Sequence, residues 1–489
     1  MKSAWAFAAL VLATGGAGAP LGCGASSGSP APTYLDRATM LDATTCQACH
    51  VDHYAKWAAS MHAYASDDPI FLAMNARGQR ETGGRLGAFC VKCHAPMALA
   101  EGATTDGTNL AQVPKSLHGV TCFFCHTIDA VTGSHDAAVA LSGDLTMRGE
   151  YGDPVQNSAH ASAADGLHDR TRAASAGLCG ACHDIDSPAG AHIERTFAEW
   201  QASVFSQPEG DTCSQCHMAR SQTAAPIAQT PGLTLPSRYS YGHDFPGVDV
   251  ALTAAGPPAL QGVQAFLATA LQTALCVTQQ GGVRVFVDNV AAGHFFPSGA
   301  SQDRRVWAEV IASRGGQVIY ASGVVPDGTP VTAVQNDPDL WLMRDCMFDE
   351  AGKPVDMFWQ AASTEGNELP APVTFNPTDP SYYKTHIVQA FPRALDGALP
   401  QMPDQVTLRI RVQPVGLDVL DALVSTRDLD PAIARAMPIL DVTPRVTWTA
   451  AAATLTYEEQ GMPVACVSPS NLNVAADKTA AANHMKCAP

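Results

Sequence analysis

The feature that most constrains this chain is Cys-x-x-Cys-His, which occurs five times in 489 residues: Cys46, Cys49, His50; Cys90, Cys93, His94; Cys122, Cys125, His126; Cys179, Cys182, His183; and Cys213, Cys216, His217. With 15 cysteines and 16 histidines available, chance gives about 0.015 such runs. Two thiols three residues apart on one helical turn can add to the two vinyl groups of a haem, and the adjacent histidine then lies beneath the iron. Zinc knuckles are the rival chemistry. An odd number of units cannot pair into four-thiolate sites, and zinc has no use for a histidine after every second cysteine. The motifs therefore predict five covalent haem c groups, attached through the ten cysteines, with His50, His94, His126, His183 and His217 as proximal ligands.

The motifs lie between Cys46 and His217, which leaves little chain per cofactor for ordinary packed layers. The expectation for residues 41–245 is a multihaem cytochrome c domain of short α-helices and loops packed on porphyrins, with helix after several motifs, as over Cys46 to Tyr64. Ahead of it, residues 1–22 read as an export signal: Lys2, an apolar run from Ala4 to Ala13, then small residues from Gly15 to Gly22. The apolar run is too short to span a bilayer. Leu21, Gly22 and Cys23 resemble a lipoprotein box with Pro20 in place of its leucine, and Ala17 and Ala19 offer an ordinary cleavage site; lipidation of Cys23 is the preferred reading. Residues 23–40 begin with a Ser-, Gly-, Ala- and Pro-rich tether. The chain should work outside the cytoplasm, in the periplasm or at the outer membrane as a lipoprotein.

Residues 246–275 read as a linker with a helix from about Pro257 to Leu275. Beyond it the period changes to two: Val283, Val285 and Val287 alternate, as do Val406, Leu408, Ile410 and Val412. Arg314, Gly315, Gly316 and Gln317 form a hairpin signal between Val306–Ala312 and Val318–Tyr320. An antiparallel β-sandwich over 276–450 is expected. Residues 451–489 are poor in pattern and read as a tail of loop or covering segment. The four downstream cysteines admit three pairings, of which Cys276 with Cys346 and Cys466 with Cys487 keep each bridge within one segment; buried free thiols are the alternative.

At these residues the chain resembles the multihaem cytochromes c of the superfamily that includes cytochrome c nitrite reductase, hydroxylamine oxidoreductase and their electron-carrier relatives. The likeness rests on His50, Tyr54, Trp57, Ser60 and His62, on Arg195, Thr196, Phe197, Glu199, Trp200 and Ser203 before the fifth motif, and on Met218 after it. A second likeness, to a β-domain appended to some such cytochromes, rests on Asn289, Ala292, Gly293, His294, Phe296, Pro297, Ser298, Gly299, Arg305 and Trp307. No motif carries the lysine that replaces histidine at the catalytic haem of the family's nitrite reductases.

The occupant of each iron's second axial position decides between electron transfer and catalysis. His62, twelve residues past His50, should serve a neighbouring haem. His118 and His243 resemble ligand turns of the relatives. His160, with His168 as rival, and His294 complete the expected set. His53 is better suited to a propionate, while His135, His192, His386 and His484 are reserves. Trp57 and Trp200 read as packing, and Met218 is too close to His217 to cross its own haem.

Overall, the chain reads as an electron carrier with mostly or wholly bis-histidine haems. The alternatives are an oxidoreductase acting on a small nitrogen or sulfur compound at one open haem, and a structural component of a larger haem array. The net charge of −17 argues against nucleic acid as a partner. With 12 basic and 21 acidic residues over 41–245, a redox partner should present a basic patch.

Overall fold

Short helices start where small polar residues cap them. In the computed structural model, which describes residues 34–253, 257–334, 336–393, 398–470, 472 and 474, Asp68 accepts from the Ile70 amide at the head of helix Pro69–Thr82. Pro69 opens that helix and left-handed Gly83 closes it. Thr121 caps Cys122–Thr127, and Thr212 forms a capping box with Gln215 on Cys213–His217. Two of the five motifs are thus helical turns fixed by the residue just before their first cysteine.

The stretch expected to be helical over Cys46 to Tyr64 is three pieces: Ala43–Gln47, Val51–Ala58 and Met61–Tyr64. It breaks at His50, whose backbone leaves the helical region, and again at Ser60, which caps the last piece. His62 is therefore redirected by a corner and does not extend a continuous rod.

After helix Pro257–Leu267 the chain enters two antiparallel sheets. In the first, the strand order is His386–Phe391, Val283–Asn289, Leu271–Val277, Met462–Val467, Leu455–Glu459. The second is built on Arg305–Arg314, which pairs with Gln317–Ser322 and Gln405–Gln413. One core serves both: Leu275, Val283, Val285 and Val287 from the first sheet meet Val306, Val310, Leu408 and Ile410 from the second. The hairpin forms at Gly315 and Gly316, whose φ values of 57° and 76° suit glycine at both central positions.

Several expectations are corrected here. The helix ends at Leu267, and Leu271–Val277 is a strand buried on both faces; a short, mostly apolar run has no clear period to distinguish the two. Val283–Asn289 is likewise buried on both sides, because Phe286 faces a second cluster with Ala274, Cys276, Val464 and Cys466. The segment after 450 is not a tail of loop: Leu455–Glu459 and Met462–Val467 add two strands to the first sheet. That pairing sets Cys466 opposite Cys276, and these two form a disulfide across 190 residues with Cα atoms 4.0 Å apart. Cys276 with Cys346 and Cys466 with Cys487 are therefore both overturned. Proximity along the chain was the wrong guide, since sheet register brought distant cysteines together. Cys346 is also disulfide-bonded, and Cys487 lies outside the described residues, as do Cys23, His484, the export signal and most of the tether.

The motif-bearing half packs directly on the β half. Ile70 and Ala73 of helix Pro69–Thr82 share a cluster with Leu420 and Leu423 of helix Leu417–Ser425. Arg80 makes two 2.6 Å bonds to Asp428, and Arg304 clamps Asp249 at 2.8 and 3.0 Å. No helix among the described residues is long and apolar enough to cross a membrane.

Candidate functional site

Each motif makes one helical turn. The amides of His50, His94 and His183 donate to the carbonyls of Cys46, Cys90 and Cys179 at 2.8, 3.1 and 3.1 Å, and the third and fifth motifs lie inside helices. Four of the five motif histidines are then oriented by a backbone carbonyl. Nδ1 donates to Ile227 from His50 (3.1 Å), to Ala65 from His94 (3.1 Å), to Arg148 from His126 (2.6 Å) and to Pro246 from His217 (2.7 Å). A histidine tied through Nδ1 presents Nε2 as its ligating atom. The carbonyl acceptors could not be found from sequence, since a main-chain oxygen leaves no trace in residue type.

The second histidines meet these rings at a narrow range of distances. His160 stacks against His50 with ring centres 6.4 Å apart and 28° between planes. His62 lies 6.2 Å from His183, His243 lies 6.3 Å from His126 at 18°, and His294 lies 6.5 Å from His217 at 14°. A metal–nitrogen bond of about 2 Å on each side, plus about 1 Å from each nitrogen to its ring centre, separates two axial imidazoles by about 6 Å. The four pairs fit an iron between them. His160, His243 and His294 also spend Nδ1 on carbonyls, those of Ala161, Tyr241 and Phe295, which leaves Nε2 as the nitrogen for any further partner.

Desolvation, reinforced by neighbouring imidazoles, pushes His62 and His243 down to about 3 and His126, His183 and His294 to about 4. All five are neutral near pH 7, the form that binds metal. Among the described residues no group of three or more His, Cys, Asp or Glu side chains converges on one point.

His118 is a correction. Its Nδ1 meets Asp67 at 2.8 Å and its Nε2 meets the Leu110 and Val113 carbonyls, both at 3.1 Å, so neither nitrogen is left for a metal. Its segment instead supports His62: the Val120 amide donates to the His62 carbonyl at 2.8 Å, and a Cβ on Gly119 would fall 2.6 Å from that same oxygen. A ligand-like turn in sequence is, in the fold, the buttress of His62. His168 is similarly spent, on Asp165 through Nδ1 (2.7 Å) and the Cys125 carbonyl through Nε2 (2.9 Å), although it stacks 5.8 Å from His126.

His53 sits edge-on to His243 at 4.9 Å, while the reserves His135, His192 and His386 face Asp136, Asp186 and Asp288. Trp57 and Trp200 donate to the Val120 and Asp211 carbonyls. His94 stands apart. Its ring partner is Phe71, parallel within 6° at 4.2 Å, and among the described residues no histidine faces it at the spacing of the other four.

Helix packing shows which motifs are neighbours: Ala43–Gln47 of the first motif lies against Cys122–Thr127 of the third, and Cys213–His217 of the fifth lies against Ala173–Gly180, which runs into the fourth.

This architecture is found elsewhere. Residues 45–127 match the family model described as cytochrome c554 and c-prime. The fold is shared with a solved structure, a penta-heme cytochrome c552 from Thermochromatium tepidum, at 18% identity and a TM-score of 0.57, over 84% of this chain and 99% of that one. No curated protein matches. The fold of this chain is that of a multihaem cytochrome c.

Proposed function

We propose that this chain is an extracytoplasmic electron-transfer protein with five covalent c-type haems, four of them bound by the pairs His50–His160, His183–His62, His126–His243 and His217–His294. The observation that carries the reading is the common spacing of those pairs, 6.2 to 6.5 Å between ring centres. Bound haem supplies a one-electron couple at iron. The chain does the rest: carbonyls aim the imidazoles, burial keeps His62, His126, His183, His243 and His294 neutral, and the paired rings leave no position for a small substrate.

We read residues 41–245 as the haem-bearing domain, joined by a linker to the β half, with Cys23 as a lipid anchor to a membrane surface. Donor and acceptor are other redox proteins. Intact mass after export in a host that matures haem c tests the stoichiometry: five haems are expected, and fewer haems or bound zinc would overturn it.

A second reading is favoured by one observation, the lack of an opposing histidine at His94. The haem of the second motif then keeps a free position. Cyanide or imidazole added to the ferric protein should convert one haem from high to low spin. An entirely low-spin resting protein would remove this reading.

A further inference from the structure

Electrons enter and leave a carrier where a cofactor edge meets solvent, and the ten motif cysteines mark those edges. Cys216 is the one exposed member; the other nine are partly covered. Its helix, Cys213–His217, packs on Ala173–Gly180 of the fourth motif.

The surface beside this motif is unusual. The segment that leads into it docks on the loop after Leu369: the Val204 amide donates to the Pro372 carbonyl at 2.8 Å, and the Phe205 ring packs edge-on against Phe375 at 5.7 Å. Phe205 also lies against Gly293, where a Cβ would sit 3.8 Å from its ring, so the contact runs on to His294 and, through it, to His217. Phe375 is 57% exposed and Val373 45%. Exposed large apolar groups beside a redox centre suit a partner better than water does. The segment 203–216 carries Glu209 and Asp211 and no basic residue, whereas Asp379 in the second segment caps the turn at Ser381 and is offset by Lys384. The nearest arginine past the motif, Arg220, is folded over the Tyr239 ring at 3.5 Å.

We propose that Phe375 and Val373, beside the segment that carries Glu209 and Asp211, form the docking surface through which the fifth motif exchanges electrons with a small redox protein bearing a basic rim around an apolar patch. The inference rests on the electron-transfer reading and adds the place and the partner's chemistry. An apolar centre with a charged rim gives brief, salt-sensitive encounters, with the charges acting mainly on association rate.

The test uses the full-length, haem-loaded protein and a basic monohaem cytochrome c as probe. Binding is followed by NMR perturbation of the probe, and electron exchange by stopped flow. Wild type should react with a rate constant that falls steeply with salt. Glu209→Lys with Asp211→Lys should slow the reaction at least about tenfold at low salt and flatten that dependence. Phe375→Ser should weaken binding at every salt concentration, and Asp327→Lys, on an exposed turn of the β half, should change neither. Haem content and reduction potentials, measured on each variant, should be those of wild type. A probe that ignores the wild-type protein, or that reacts equally with the charge-reversed variant, overturns the docking surface. If only the docking surface is wrong, exchange with small mediator dyes persists; if the carrier reading is wrong, wild type reduced by dithionite will pass no electrons to the dyes either.

Discussion

Replacing His294 with alanine isolates one ligand, and the structure says what should and should not follow. The His217–His294 pair is one of four with the spacing of axial ligands, so its loss should convert one iron in five, about 20% of the ferric haem, from low to high spin. If the second motif's haem is already open, the high-spin share should rise from about one-fifth to about two-fifths. The loop itself should stay in place. Glu199 accepts from the Phe295 amide (3.0 Å) and the Ser298 hydroxyl (2.6 Å), Thr196 and Ser298 share a 2.7 Å bond, Asn289 donates to the His294 carbonyl at 2.7 Å, and Arg304 donates to the Ser298 carbonyl at 2.9 Å. At about 1 kcal/mol each, these hold the loop by several kcal/mol without the imidazole. Electron paramagnetic resonance reads the spin state, and added imidazole should refill the cavity and restore the low-spin signal. His118→Ala and His168→Ala, whose ring nitrogens are already spent, should leave every iron low-spin that was so before. A folded His294→Ala protein with the wild-type spectrum would refute the assignment, and a new high-spin iron in His118→Ala would refute the exclusion.

Cys276 and Cys466 close a loop of 190 residues, for which chain entropy alone gives about 5 kcal/mol; Cys276→Ala with Cys466→Ala should lower the denaturant midpoint of the β half accordingly, and an unchanged midpoint would show the bridge to be dispensable. Burial raises Glu199 to about 7 against about 4.3 in an unfolded chain. Its contribution is therefore full below about pH 4 and lost as pH rises through about 7. Melting temperatures from pH 5 to 8 should fall more steeply for wild type than for Glu199→Gln, and parallel curves would contradict this. If Cys23 is lipidated, wild type should sediment with membranes and Cys23→Ser should not; soluble wild-type protein with a free N-terminus at or before Pro20 would refute the anchor.

The cysteine motifs were legible because covalent attachment needs fixed residue types at a fixed spacing, and local capping by Thr121 and Thr212 then sets the turn on which two of them sit. The hairpin at Gly315 and Gly316 was legible for a similar reason: its conformation is written in the two residues that adopt it. Second ligands are different in kind. A histidine becomes one only when the fold aims a free nitrogen across about 6 Å at another ring, and nothing local distinguishes His243, whose Nε2 remains available, from His118, whose two nitrogens are taken by Asp67 and by backbone. The disulfide shows the same limit, since Cys276 and Cys466 were joined by strand register across 190 residues while chain proximity pointed elsewhere. Residue chemistry and local turns were determined by the sequence itself. Which buried groups face one another was decided by tertiary packing, because orientation and register arise only when distant segments share one core.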